Sequence, residues 1–178
     1  MKTLKNILLL ALLFSVGQLN AQTDKPTTAR IIKAQHYVFI ATSANPLNAS
    51  DINKIMSRMP GYSGGGSINL NSSNYDLTVT PDSLISYLPY YGRSYTPKIG
   101  GAIDDTGIKF KSKDFRYKIV PRKKGGWYIT MTPKDVKDNY NLSLFVTDSG
   151  YATLTVNNST QQAISFDGYL SEPRQPKK

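Results

Sequence analysis

Aromatic and basic side chains are concentrated around one bend of the chain, between residues 87 and 95. Pro89 and Gly92 predict a corner there, because proline donates no backbone amide and glycine lets the backbone turn sharply. Tyrosine rings beside a guanidinium can contact sugar rings or peptides, or stack on the cation itself. The candidate ligand-binding residues are therefore Tyr87, Tyr90, Tyr91, Arg93 and Tyr95. The alternative is that these tyrosines only pack a corner against the sheet.

Basic residues form the second candidate site, an anion-binding hypothesis. Two predicted strands, joined by a turn at residues 113–114, each present alternate basic side chains on one face: Lys109 and Lys111, then Arg116 and Lys118. Because no aromatic residue is interleaved on that face, we expect any binding to act through charge alone and to weaken with salt. The competing interpretation is a solvated face whose lysines protect an edge strand from mispairing.

Asp104 and Asp105 open a third segment that could carry chemistry. Asp105-Thr106-Gly107 matches the triplet of aspartic proteases, which need two such aspartates sharing a proton. The chain contains this triplet once, and Asp-Thr-Gly is also ordinary turn sequence. A hydrolase that uses aspartates near Asp104 and Asp105 is therefore the alternative function, and we assign no catalytic residue.

Cysteine and histidine content limits the remaining chemistry. The chain has no cysteine and one histidine, His36, so a thiol nucleophile and a thiolate metal site are excluded. We expect no metal and no cofactor, because no second histidine, glycine-rich phosphate loop or EF-hand loop is present. His36 begins a predicted strand, where we expect it at the surface or an edge.

The first 21 residues have the layout of a secretory signal peptide. Lys2 and Lys5 precede an uncharged apolar run from Ile7 to Val16, and Ala21 is a small residue at the expected cleavage site. The run is too short for a typical membrane span. We expect an exported protein, periplasmic or secreted, without a lipid-anchoring cysteine and without a transmembrane segment after cleavage.

The formal net charge of +10 favours anionic partners. The expected ligand is a glycan, a peptide or an anionic envelope component, and no specific nucleic acid binding is expected. A structural partner that docks by strand addition is a third possibility. The pattern indicates no particular oligomeric state.

Alternation with period two dominates the chain after Asn74 and predicts a mainly β protein. We expect an antiparallel meander closed as a β-sandwich or small barrel, in one domain over residues 36–170. Residues 22–35 read as a leader with a short helix, in which Pro26 occupies the first turn. A second short helix is predicted from Ser50 to Met59, and residues 171–178 are predicted to be a disordered tail.

Five segments carry a family resemblance: Tyr75–Val79, Tyr87–Tyr95, Gly107–Phe110, Gly126–Ile129 and Ile164–Gly168. With these motifs, the region from His36 to Leu170 resembles domain-of-unknown-function family 4251, a group of exported proteins of Gram-negative bacteria. The resemblance implies export and carries no catalytic residue, since the family has no assigned activity. The sequence therefore predicts an exported, non-enzymatic binding or envelope-associated module.

Overall fold

The computed structural model describes residues 23–47, 50, 53–54, 57, 66–71, 73–95 and 107–173. In chain order its elements are α1 (Lys25–Lys33), β1 (Tyr37–Pro46), β2 (Ile68–Asn69), β3 (Asp76–Thr80), β4 (Ser83–Leu88), β5 (Ile108–Ser112), β6 (Phe115–Pro121), β7 (Trp127–Pro133), β8 (Asn141–Val146), β9 (Tyr151–Asn157) and β10 (Ile164–Ser171).

All ten strands belong to one antiparallel sheet, with the order β5-β4-β3-β1-β10-β9-β8-β7-β6 and β2 attached to β1. Two meanders, β3–β5 and β6–β10, are thus joined through β1 at the centre. The mainly β, antiparallel fold that the alternation predicts is confirmed.

The sheet curls into a nearly closed barrel. Strands β5 and β6 stand at opposite ends of the strand order, yet only Lys113 and Asp114 separate them in the chain. So short a connection requires the two ends of the sheet to meet at one corner. Inside the barrel, the Tyr37 hydroxyl on β1 lies 3.1 Å from the Tyr117 hydroxyl on β6, and burial raises the pKa of Tyr117 to about 12.

The core fills the interior of the curled sheet. Inward residues of the central strands are fully buried, for example Phe39, Leu77, Leu144 and Phe166. A register shift between Ala41 and Ser43 reverses the alternation of β1, so that Ala44 also faces inward. This bulge turns the Thr42 carbonyl toward the next segment, where it accepts a hydrogen bond from the Leu70 amide at 2.8 Å.

The predicted N-terminal helix is present as α1. The Asp24 carboxylate caps it by accepting from the Thr27 amide at 3.2 Å, and Pro26 occupies the first turn. Ile31 and Ile32 are buried against the core. An ion pair between Arg30 and Glu172 joins the helix to the residue that follows β10.

The predicted tail, second helix and signal peptide lie partly or wholly outside the described residues. Strand β10 runs to Ser171 and Glu172 pairs with Arg30, so the predicted start of the tail at 171 is too early, while residues 174–178 lie outside the described part. The predicted second helix lies mostly outside it too, although the Ser57 amide donates to the Asn53 carbonyl at 2.8 Å. The predicted signal peptide lies entirely outside it.

Candidate functional site

Side chains from six strands form one row on the outer face of the sheet. Successive residues of a strand point to opposite faces, so cross-strand partners share a face. Following the register from β5 through β4, β3, β1 and β10 to β9, the row consists of Lys109, Tyr87, Asp76, Ile40, Tyr169 and Tyr151. The row places aromatic rings on both sides of a carboxylate and an apolar side chain.

Tyr87 joins the two predicted sites. Its ring stacks on Tyr75 with centroids 5.8 Å apart, and the Lys109 Nζ lies 4.9 Å from its centroid. No aromatic residue is interleaved between Lys109 and Lys111 on β5, as the sequence indicates, but the neighbouring strand β4 places Tyr87 directly opposite Lys109. Tyr91 lies nearby: burial raises its pKa, and Tyr75 adds to that shift.

A groove of about 540 Å³ runs over the outer face of β3, β1 and β10. Its floor consists of Val38, Ile40, Asp76, Thr78 and Tyr169. The segment from residue 71 to 75 walls one side, and residues 171–173 wall the other. The wall of residues 71–75 is joined to β1 by the Tyr75 carbonyl oxygen, which accepts a hydrogen bond from the Ala41 amide at 3.0 Å. We call this feature the outer groove.

The polar chemistry of the outer groove differs from that of the chain as a whole. Its described lining contains the carboxylates of Asp76 and Glu172 and no basic side chain, although the chain is strongly basic. Arg30 neutralises Glu172 by ion pairing. Asparagine and serine side chains complete the polar lining: Asn71, Ser73, Asn74 and Ser171. The groove therefore offers hydrogen-bond donors and acceptors beside aromatic rings, with little net charge.

Tyr90 fastens the predicted tyrosine bend, residues 87–95, to the segment before β10. Its hydroxyl lies 2.8 Å from the Arg93 carbonyl oxygen and 3.0 Å from that of Gln162, and burial raises its pKa. Asn158 shapes the facing segment, because its side-chain oxygen accepts hydrogen bonds from the amides of Thr160 and Gln161. Such contacts assign Tyr90 a structural role.

The other bend residues divide between the core and the solvent. In an extended segment, successive side chains point to opposite sides, which predicts Tyr91, Arg93 and Tyr95 on one side and Tyr90 on the other. This prediction is wrong, because Tyr90 and Tyr91 both pack against the core. Backbone pairing to residues 160–162 interrupts the alternation, as the Tyr95 amide donates to the Thr160 carbonyl at 2.8 Å. Tyr95 is 66% exposed.

The four basic residues do not form a hairpin. Each is exposed as predicted, but β5 pairs with β4 and β6 pairs with β7, at opposite ends of the sheet. The alternation is right for each strand, whereas the pairing inferred from the short turn is wrong, because closure of the sheet brings β5 and β6 together only at their shared corner. Lys109 and Lys111 therefore belong to one edge, and Arg116 and Lys118 to the other.

Asp135 ties this corner together, a role that sequence reasoning missed. Its carboxylate accepts hydrogen bonds from the Ser112 hydroxyl and from the amides of Lys113 (2.8 Å) and Asp114 (3.2 Å). These donors, the Ser112 hydroxyl first, lower the pKa of Asp135 to about 2. A serine and an aspartate 23 residues apart give no pattern from which the contact could be predicted.

A second cation–aromatic cluster was also missed, on β7 and β8. The Arg122 guanidinium lies 5.2 Å from the Tyr128 centroid and 4.8 Å from that of Phe145. Tyr128 and Phe145 are cross-strand partners, which explains their approach. The available sequence signal was that Tyr128 and Phe145 occupy outward positions in the period-two alternation of two predicted strands.

The other residues singled out in the sequence are His36 and the segment around Asp104 and Asp105. His36 is exposed beside β1, as predicted. Asp104, Asp105 and Thr106 lie outside the described residues. Within the part of the chain that the structure describes, no group of three or more histidine, cysteine or acidic side chains is arranged to hold a metal ion. The described helices include none long and apolar enough to cross a membrane.

Comparison with known proteins agrees with this architecture. A solved structure of a DUF4251 family protein from Bacteroides eggerthii DSM 20697 superposes with a TM-score of 0.55 at 14% identity, over 83% of this chain and 87% of that one. At this identity the likeness shows the fold alone. No curated protein matches. The profile of a domain of unknown function, DUF4251, matches residues 20–170. Since that match spans most of the chain, the protein belongs to the DUF4251 family.

Proposed function

We propose that this protein is an exported, non-enzymatic binding module whose outer groove binds a glycan. The single observation that carries the proposal is the outer groove itself, where Tyr75 and Tyr169 stand beside amide, hydroxyl and carboxylate groups. Its volume of about 540 Å³ falls within the range of about 300–1,000 Å³ that is usual for small-ligand sites.

Sugars suit this lining better than the other expected ligands. The rings of Tyr75 and Tyr169 can cover the apolar face of a pyranose, and amide and carboxylate oxygens can accept its hydroxyl protons. An anionic envelope component suits it less, because Asp76 lies on the floor and the described lining has no basic side chain. The rigid sheet beneath holds these groups at fixed spacing, which reduces the entropy lost on binding.

Binding without catalysis is proposed because no catalytic motif is recognisable in the sequence. The Asp-Thr-Gly triplet occurs once, whereas aspartic proteases need two such aspartates sharing a proton. Export rests on the signal-like N-terminal residues alone, and intact-mass analysis of material from the native host would reveal cleavage after Ala21.

A glycan panel tests the binding proposal. We expect the protein to retain neutral oligosaccharides, with little effect of added salt, and Tyr169→Ala and Tyr75→Ala each to weaken retention by on the order of tenfold, as the loss of an aromatic contact does. Tyr128→Ala is the control, since Tyr128 is an outward tyrosine that does not line the outer groove. Equal loss in Tyr128→Ala, or no retained oligosaccharide, would overturn the proposal.

A further inference from the structure

Strand β6 has one edge that no described strand covers. It pairs with β7 along its whole length, from Phe115 to Pro121, and ends the strand order. The amide and carbonyl groups that point away from β7 form a row on this edge. Such a row is a template on which another chain can add a strand.

The inward side chains of β6 are less covered than those of neighbouring strands. Phe115, Tyr117 and Ile119 pack on the core but stay only half-buried. By contrast, the inward residues of β8, namely Leu142, Leu144 and Val146, are fully buried. Tyr117 is held in place by its hydroxyl contact with Tyr37, so these side chains keep their inward direction. Among the described residues, the exposed part of this apolar row therefore lies next to the backbone edge that no strand covers.

The outward side chains of β6 carry positive charge. Arg116 and Lys118 are exposed, and their cross-strand partners on β7 are the neutral Thr132 and Thr130. A strand on the other side would meet the same two cations at about 4.5–5.5 Å between Cβ atoms. Lysines that only guard an edge explain the outward charge, but they leave the apolar row of β6 without explanation.

We propose that β6 binds an extended segment of a partner protein in which apolar and acidic residues alternate. The apolar residues of this strand continue the core over Phe115, Tyr117 and Ile119, and its acidic residues face Arg116 and Lys118. Backbone hydrogen bonds along β6 supply affinity, and the alternation sets specificity. The corner at Lys113–Asp114 and the proline at 121 limit the contact to the length of β6.

Fluorescence anisotropy with synthetic peptides tests this inference on the full mature chain. The probe is a labelled peptide of about nine residues in which valine and glutamate alternate. We expect binding that falls on the order of tenfold when the same residues are rearranged into one valine block and one glutamate block. Equal binding of the rearranged peptide would mean simple charge attraction, as a polyanion would give, and would overturn the proposal.

Two further measurements separate strand addition from other contacts. Methylating the peptide amides on one set of alternate residues should abolish binding, while methylating the other set should leave it, because only one edge of an added strand faces β6. Equal effects of the two sets would contradict strand addition. Arg116→Glu with Lys118→Glu should reverse the preference toward a valine–lysine peptide. Lys123→Glu with Lys124→Glu, the same charge change in the exposed β6–β7 turn, should leave the preference unchanged; a reversal there would overturn the assignment to β6.

Discussion

Two outward tyrosines, near opposite ends of the strand order, have almost the same immediate surroundings. Tyr87 and Tyr128 are 47% and 49% exposed, and each has a cation about 5 Å from its ring, Lys109 at 4.9 Å and Arg122 at 5.2 Å. The two regions differ in the next residues out, beyond each tyrosine and its cation. Arg122 also covers Phe145, whereas Tyr87 stacks on Tyr75, which forms part of the wall of the outer groove.

The comparison teaches that a cation over a ring does not by itself make a binding site. Around Tyr128, the guanidinium covers two rings, and none of these three residues lines the outer groove. Around Tyr87, the stack borders a groove lined by polar side chains from three strands and a loop. Shape and hydrogen-bonding groups distinguish the two regions, and the following predictions test that distinction, beginning with the largest expected effect.

Gly168→Ala, on the strand β10 beneath the outer groove, should cause the largest loss of stability. A Cβ at this position of β10 would meet the Ile40 carbonyl and would lie 3.0 Å from the Phe39 ring. Because the obstacle includes backbone, we expect a loss of about 1–3 kcal/mol in the free energy of unfolding. Urea denaturation measures it. Gly107→Ala is the comparison variant, since its Cβ would lie 2.7 Å from the Leu88 carbonyl at the β4–β5 end; an unchanged midpoint in Gly168→Ala would contradict the packing described for β10.

Asp135→Asn should loosen the corner where the two edges meet, in a pH-dependent way. The pKa of Asp135 is lowered to about 2 in the folded protein, so its contribution is complete above the ordinary value of 3.8 and is lost as the pH falls from there to about 2. We expect a lower melting temperature than wild type at pH 7 and no difference below about pH 2. Thermal melts across this range measure it, and a difference that is as large below pH 2 as at pH 7 would contradict the carboxylate's role.

Tyr90→Phe should cost about 1 kcal/mol, the usual value of a hydrogen bond, because only the hydroxyl that reaches the Arg93 and Gln162 carbonyls is removed. Glycan retention by the outer groove should be unchanged. Tyr95→Phe is the matched control, since Tyr95 is 66% exposed and should change stability little. If Tyr90→Phe lost glycan and kept full stability, the bend would be a binding element instead of an anchor.

The smallest effects should come from the two cations. Lys109→Met and Arg122→Met remove contacts worth about 0.5–1 kcal/mol each at exposed rings. We expect the larger loss of stability for Arg122→Met, because Arg122 covers two rings and Lys109 one. Urea denaturation of both variants measures the difference. A larger loss of stability for Lys109→Met than for Arg122→Met would contradict this expectation.

Local sequence was sufficient for the secondary structure and for the family. Period-two runs such as Trp127–Met131 and Ala152–Val156 depend only on the alternation of side chains along a strand, and they correspond to β7 and β9. The capped N-terminal helix and the turn at Asp148–Gly150 also depend on neighbouring residues alone. The fold class and the family membership are therefore confirmed, whereas the ligand, export and the lack of catalysis stay predictions.

Only the tertiary structure decided which strands and side chains meet. The two-residue link at Lys113–Asp114 has the length of a hairpin turn, but closure of the sheet places β5 and β6 at opposite ends of the strand order. The register between distant strands likewise brings Lys109 onto Tyr87, and Tyr169 into one groove with Asp76. Alternation along one strand determines the face on which a residue lies, but the neighbour across the sheet depends on packing of the whole chain, which local pattern does not contain.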